Sequence, residues 1–372
     1  MSELIEPSAG AQASVRARLI DCDVHPVLQR GYNSLVPYIL RPWHERFVRK
    51  GANLPGTSGV PLKFTHPNGA VLREDARAPD GGLAGSDPKF LAADLCDGHG
   101  VDLALLNCLE AASVCSAKAG VEESIVLASA YNDYFINEWL PLDQRFLFAM
   151  TVPVQDPQAA VAEIKRVGGH KQIAAISLPL VNIQMGNRWY WPIYAAAQEM
   201  GLPIFLHVTG IESLLAGSPS ITAGSFDSYI DRYLAMPQLA ESSVRNLVFN
   251  GIFERFPDLK FIFAEFGFLW VPAIVWRMDR MWRSLRHDVP WVLKPPSEYV
   301  RERCFFTTQP VDEPENPAHL RAMTDLIGYE NICFSSDYPH WDNDMPDATL
   351  RYLDAEQRQK VFADNARKVL RL

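Results

Sequence analysis

Arg18-Leu19-Ile20-Asp21-Cys22-Asp23-Val24-His25-Pro26 is the stretch from which the fold can be read. An apolar run of strand character ends there in a carboxylate, Asp23, and an imidazole, His25. Their spacing of two puts both side chains on one face of a β-strand. At a strand end such a pair can close on a metal ion, or it can simply cap a turn. Three later segments favour the metal: Phe205-Leu206-His207, Phe263-Ala264-Glu265 and Phe334-Ser335-Ser336-Asp337 each stop an apolar run at a metal-capable or acid-base residue.

Working outward, short apolar runs bounded by turn residues recur eight times: 19–23, 103–108, 146–152, 173–178, 203–207, 260–265, 304–308 and 332–336. Helical patterns lie between and after them at 90–99, 124–139, 157–167, 192–200, 238–256, 271–285, 317–327 and 355–370. Strand alternating with helix calls for a parallel sheet with helical crossovers, and eight such units predict an α/β chain folded as a single (β/α)8 TIM barrel. An open doubly wound sheet is the alternative. The polar strand ends decide against it, because they fall on the first, fifth, sixth and eighth strands, and only closure brings the first beside the eighth. Asp156-Pro157 reads as a helix cap with proline in the first turn, and Gly168-Gly169 and Gly201 read as helix stops. Two connections, 26–89 after the first strand and 209–237 after the fifth, are too long for ordinary loops. Both leave strand C-terminal ends, where barrel sites form, so both are expected to wall or cover a pocket.

The 372 residues, 48% hydrophobic and 21% charged, suffice for a large core. A formal charge of -9 and the absence of a basic run argue against a nucleic-acid partner. No apolar stretch approaches the ~20 residues needed to cross a membrane. Residues 1–17 lack a signal-peptide apolar run and read as a mobile tail, leaving 18–372 as the barrel domain. The six cysteines form no CxxC pair and several lie in strand-like runs, so buried thiols in a reducing compartment, the cytoplasm, are expected.

Placed on one barrel rim, Asp23, His25, His207 and Asp337 supply two imidazoles and two carboxylates, a donor set for Zn2+ or Mn2+, with Fe2+ also allowed. Glu265 would join as a fifth ligand or as an acid beside the ion. The Asp23-x-His25 start, His207, the acidic sixth strand and the closing Phe334-Ser335-Ser336-Asp337-Tyr338-Pro339-His340 run resemble the amidohydrolase-related proteins of the amidohydrolase superfamily. That group includes metal-dependent hydrolases and the non-oxidative decarboxylases of the aminocarboxymuconate semialdehyde and γ-resorcylate types. The resemblance covers nearly the whole chain. It implies one divalent metal held by Asp23, His25, His207 and Asp337, a small-molecule substrate, and a homodimer. The chain departs from the common pattern at Asp23, where many members have histidine, and at Glu265, where the sixth strand usually ends in histidine. It also lacks a lysine at the end of the fourth strand, which closes with Ser177-Leu178-Pro179, so one metal is expected rather than two.

Three functions follow. A carboxy-lyase acting on an aromatic or muconate-like acid is favoured, because anionic ligands offset the charge that would acidify a bound water. Asp337 or Glu265 would then deliver a proton to the carbon that loses CO2, with His207 as ligand. The first alternative is a hydrolase of an amide, ester or lactone in which Asp337 activates a metal-bound water. The second is a degenerate barrel that binds without catalysing. Arg73 and Arg77 are candidate clamps for a substrate carboxylate, or a solvated charged loop. His340, Trp189 and Trp270 are further candidate substrate contacts, the tryptophans having ordinary packing as the other reading.

Overall fold

The computed structural model describes residues 18–49, 71–118, 120–208 and 228–372. The apolar runs form eight strands: β1 (Ile20–Val24), β2 (Leu103–Leu106), β3 (Phe146–Thr151), β4 (Ile173–Pro179), β5 (Ile204–His207), β6 (Phe261–Ala264), β7 (Cys304–Thr307) and β8 (Ile332–Cys333). Their residues are buried almost without exception, which is why the runs are continuously apolar rather than alternating. The strands pair in parallel and in chain order. Closure is made by the backbone: Cys22 N–H donates to Phe334 O at 3.0 Å, Asp337 N–H to Asp23 O at 3.1 Å, and His25 N–H to Tyr338 O at 2.8 Å. The expected closed barrel is therefore present, and the first strand does lie beside the eighth.

Thirteen helices surround it among the described residues: α1 (Arg41–Arg49), α2 (Pro88–Leu91), α3 (Leu109–Ser113), α4 (Val121–Tyr134), α5 (Pro157–Val167), α6 (Trp191–Met200), α7 (Tyr229–Phe249), α8 (Ile252–Arg255), α9 (Val271–Leu285), α10 (Pro296–Arg303), α11 (Pro317–Ile327), α12 (Ala355–Gln359) and α13 (Asn365–Leu370). The Asp156 carboxylate accepts from the N–H groups of Gln158 and Ala159, so it caps α5 as read. Gly201 ends α6 at φ +71°, a conformation that a side chain would strain. All six cysteines are buried and unpaired. No described helix is long and apolar enough to cross a membrane.

Two expectations need correction. The helix read at 238–256 is α7, which starts nine residues earlier at Tyr229, capped by the Ser228 hydroxyl, carries Pro237 inside it and ends at Phe249. Tertiary anchoring outweighs the lost hydrogen bond, since Arg232, Ala235 and Met236 are buried around the proline. The helix α10, ahead of β7, was not foreseen, because its Pro296-Ser297-Glu298 start has few apolar residues to mark a period. The supposed mobile tail, 1–17, lies outside the described residues, as do 50–70 and 209–227 of the two long connections. The described end of the first connection does behave as a wall. Leu72 pairs with His340 in an antiparallel bridge, Arg73 N–H donates to Pro339 O at 2.9 Å, and Val27 N–H donates to Gly85 O at 2.9 Å. Gly85 has φ +76°, and a Cβ there would lie 2.6 Å from His25 O, so only glycine lets this segment close on the site.

Candidate active site

Asp23, His25, His207 and Asp337 converge at the C-terminal ends of β1, β5 and β8. Each is buried, and each offers a ligand atom within 4.8 Å of every other. The backbone orients both rings. His25 Nδ1 lies 3.0 Å from Asn107 O, and a carbonyl only accepts, so Nδ1 carries the proton and Nε2 presents its lone pair inward. His207 Nδ1 is turned to Val208 O in the same way. His25 Nε2 sits 2.7 Å from Asp337 Oδ1 and 3.4 Å from Asp23 Oδ1. Yet His25 Nε2 and Asp23 Oδ1 are both buried without a hydrogen bond. Orphaned inward-facing donor atoms on imidazole and carboxylate are what a divalent ion satisfies, so the residues fit such an ion.

The acids of the site divide by environment. Asp23 is held below its ordinary value: burial pushes it up, but the charges of His207 and His25 outweigh that. His207 is pushed up; burial opposes its charged form, and the charge and hydrogen bond of Asp23, 2.8 Å away, win. Burial lifts Asp337 to about 8, against the opposing pull of His25 close by. Glu265, 3.4 Å from His207 Nε2, is raised well above its ordinary value by burial, then by repulsion from Asp337 and Asp342. Glu265 and Asp337 both stand at φ +62°, a left-handed backbone uncommon outside glycine, which aims both carboxyls from strained turns.

His340 lies beside the cluster, with Nδ1 2.8 Å from Asp337 Oδ1 and its ring stacked on His25 at 4.5 Å. Burial lowers it to about 4, so it stays neutral. Arg73 forms a bidentate pair with Asp75 while its Nη1 is buried without a hydrogen bond. Arg77 instead turns to Glu74 in an exposed pair. Trp189 donates to Val154 O, and Trp270 donates to Phe266 O and Gly267 O and packs on Phe306. Neither tryptophan makes a hydrogen bond or ring contact with the four-residue cluster.

Several residues of the site escaped the sequence reading. Asp21 Oδ1 accepts from Asp23 N–H and Ser336 N–H; its signal was its place two residues before Asp23 on the same strand face. Gln309, at the end of the β7 run, donates to Asp337 Oδ2 at 3.2 Å and to Asp342 Oδ2 at 3.4 Å. The Tyr233 hydroxyl donates to Asp342 as well, bringing the first turns of α7 over the barrel mouth. Buried Arg232, on the same turn, opposes the rise at Glu265. The α7 residues lay in a span read as loop, so no pattern marked them.

Residues 20–372, essentially the whole barrel, match the amidohydrolase family. The chain belongs to that family. As an amidohydrolase it is an enzyme, and its curated relatives include a γ-resorcylate decarboxylase of Rhodococcus jostii (strain RHA1), 25% identical over 271 residues, 66% of this chain and 75% of that one. Its solved neighbours include the 5-carboxyvanillate decarboxylase of Sphingomonas paucimobilis, 21% identical with a TM-score of 0.67, covering 96% of this chain and 99% of that one. A second is the 5-carboxyvanillate decarboxylase of Novosphingobium aromaticivorans, complexed with manganese and 4-hydroxy-3-methoxy-5-nitrobenzoic acid. It is 19% identical with a TM-score of 0.65, covering 95% of this amidohydrolase and 96% of the neighbour. At such identities the solved neighbours show the barrel fold, and the chemistry rests on this chain's own residues.

Proposed function

We propose that the chain is a metal-dependent, non-oxidative decarboxylase of an aromatic or muconate-like carboxylic acid. The observation that carries the reading is the buried set of two imidazoles and two carboxylates with a further buried carboxyl, Glu265, beside it. Asp23, His25, His207 and Asp337 would hold one divalent ion. Half of the donors are carboxylate oxygens, which suits Mn2+, the metal of the Novosphingobium neighbour, with Zn2+ and Fe2+ as alternatives. A bound divalent ion supplies the charge that grips a substrate carboxylate beside a hydroxyl or carbonyl oxygen. Asp23 and Asp337 offset that charge, which disfavours water activation relative to an all-imidazole site and so favours the lyase over the hydrolase.

Glu265 stands outside the four donors and faces them, so it is placed to give its proton to the carbon that carried the carboxylate; Asp337 is the second candidate. The C–C bond breaks, its electron pair takes the proton, CO2 leaves, and solvent reprotonates the carboxyl. Arg73, through its buried Nη1, and His340 would position the substrate. The exposed apolar side chains Trp276 and Leu326 support the homodimer reading, in a cytoplasmic enzyme, and light scattering would measure the oligomer.

Metal-loaded protein should be assayed in D2O against hydroxybenzoates, carboxyvanillate, amino-muconates, lactones and amides. Release of CO2 with one deuterium on the carbon that lost it is expected, and Glu265→Gln should abolish both. Incorporation of 18O from labelled water without CO2 would replace the lyase by the hydrolase. A metal-loaded protein inert on every substrate and free of bound acid would favour the non-catalytic barrel.

A further inference from the structure

Away from the strand-end cluster, two guanidinium groups converge on one indole. The Cζ of Arg255, at the end of α8, lies 4.1 Å from the centre of the Trp191 ring, and the Cζ of Arg188, just before α6, lies 5.1 Å from it. Like charges repel, so such a pair normally gathers a carboxylate. Elsewhere in the chain that happens: Arg145 meets Asp143 and Asp97, and Arg166 meets Glu163 and Asp133. Arg188 and Arg255 have no ion pair or hydrogen bond among the described residues, although the sequence carries 44 acidic residues against 35 basic ones. Their indole partner adds a third unused donor, because Trp191 Nε1 is buried with no hydrogen-bond partner.

These groups open on a cavity of about 810 Å³ bounded also by Gly186, Gly251 and Trp291. Gly251 stands at φ +69°, and a Cβ there would lie 2.7 Å from Trp291 Cδ1, so the half-exposed Trp291 ring packs closely on the glycine backbone as a wall. Trp291 Nε1 donates to Phe249 O at 2.8 Å, which fixes the ring. The acidic residue of the lining, Glu254, has its Oε1 engaged by the Tyr299 hydroxyl. The cavity therefore offers two exposed cationic forks without an ion pair among the described residues, and an aromatic wall.

We propose that this cleft is a binding site for a phosphate-bearing anion, gripped by Arg188 and Arg255. Guanidinium forks match phosphate oxygens in pairs, and the anion supplies a counter-charge that neither arginine has among the described residues. The Trp291 face would take a planar group attached to the phosphate. None of the lining residues belongs to the strand-end cluster, so the site is independent of the decarboxylase reading.

The test titrates the full-length, metal-loaded protein with inorganic phosphate and with phenyl phosphate, followed by calorimetry and tryptophan fluorescence. One saturable site is expected, weakened by salt. Arg188→Gln and Arg255→Gln should each weaken it by about tenfold or more, while Arg255→Lys restores part of the loss. His207→Ala, which disables the barrel site, should leave phosphate binding unchanged. Tighter binding of phenyl phosphate would identify an organic phosphate as the ligand class, and equal binding inorganic phosphate. The inference is overturned by the absence of saturable binding at millimolar phosphate, or by arginine variants that fold and bind like wild type. Binding lost in His207→Ala but kept in Arg255→Gln would also overturn it, by assigning the anion to the barrel mouth.

Discussion

Asp21 is wholly buried, and a single oxygen of it, Oδ1, accepts from Asp23 N–H at 3.2 Å and from Ser336 N–H at 2.9 Å. That oxygen clamps the end of β1 to the segment after β8, the two pieces of backbone that carry Asp23 and Asp337. Asp21→Ala leaves two buried N–H groups without an acceptor. Each costs about 1–3 kcal/mol, so the metal-free protein should lose about 2–6 kcal/mol of unfolding free energy. Because two ligands lose a shared anchor, metal affinity should fall roughly 10–100-fold, the range for groups that support ligands. Asp21→Asn keeps an acceptor oxygen, while its amide nitrogen falls where Oδ2 is now buried without a hydrogen bond. It should therefore lie between wild type and alanine. Urea unfolding in the presence of a chelator and calorimetric titration with Mn2+ measure the two effects. Alanine binding metal as wild type does would refute the clamp, and equal losses in alanine and asparagine would transfer its role to the carboxyl charge.

His207→Ala should lose both metal and turnover, whereas Glu265→Gln should keep the metal and lose turnover; elemental analysis separates them, and equal metal loss would make Glu265 a ligand. Burial raises Asp344 to about 7, so the folded state holds its proton more tightly than the unfolded chain does, and stability contributed by the protonated form is lost as pH rises toward 7. Thermal unfolding between about pH 4 and 7, the window set by that shift, should show this decline, and Asp344→Asn should make it shallower. Gly201→Ala forces a side chain into φ +71° and should cost about 1–2 kcal/mol in denaturant unfolding; an unchanged midpoint would mean that the α6 end relaxes freely.

The barrel and its donor set were legible in the sequence because both are local signals. A parallel strand covered on both faces must be apolar along its length, and a polar residue that ends such a run must emerge at the rim. Asp23, His25, His207, Glu265 and Asp337 could therefore be named from runs of four or five residues each. Chain order alone then implied that the first and eighth strands meet. The surroundings of the donors were not legible. Gln309 reaches Asp337, Tyr233 reaches Asp342 and Asp21 reaches Ser336 across 28, 109 and 315 positions of sequence, and no periodicity links such partners. Arg232 and Tyr233 were hidden because the span up to Pro237 reads as a connection, whereas packing carries the helix through that proline. Trp189 and Trp270 were candidates from their places in loops and at strand ends, and the backbone carbonyls to which their indoles donate could not be read from the sequence. Sequence by itself determined which elements form and which polar residues end them, since strand period and strand-end direction are properties of a few neighbouring residues. Only the tertiary structure decided which of those residues touch, how far their protons are held from ordinary values and which loop side chains join them, since each of these depends on distances set by the closed barrel.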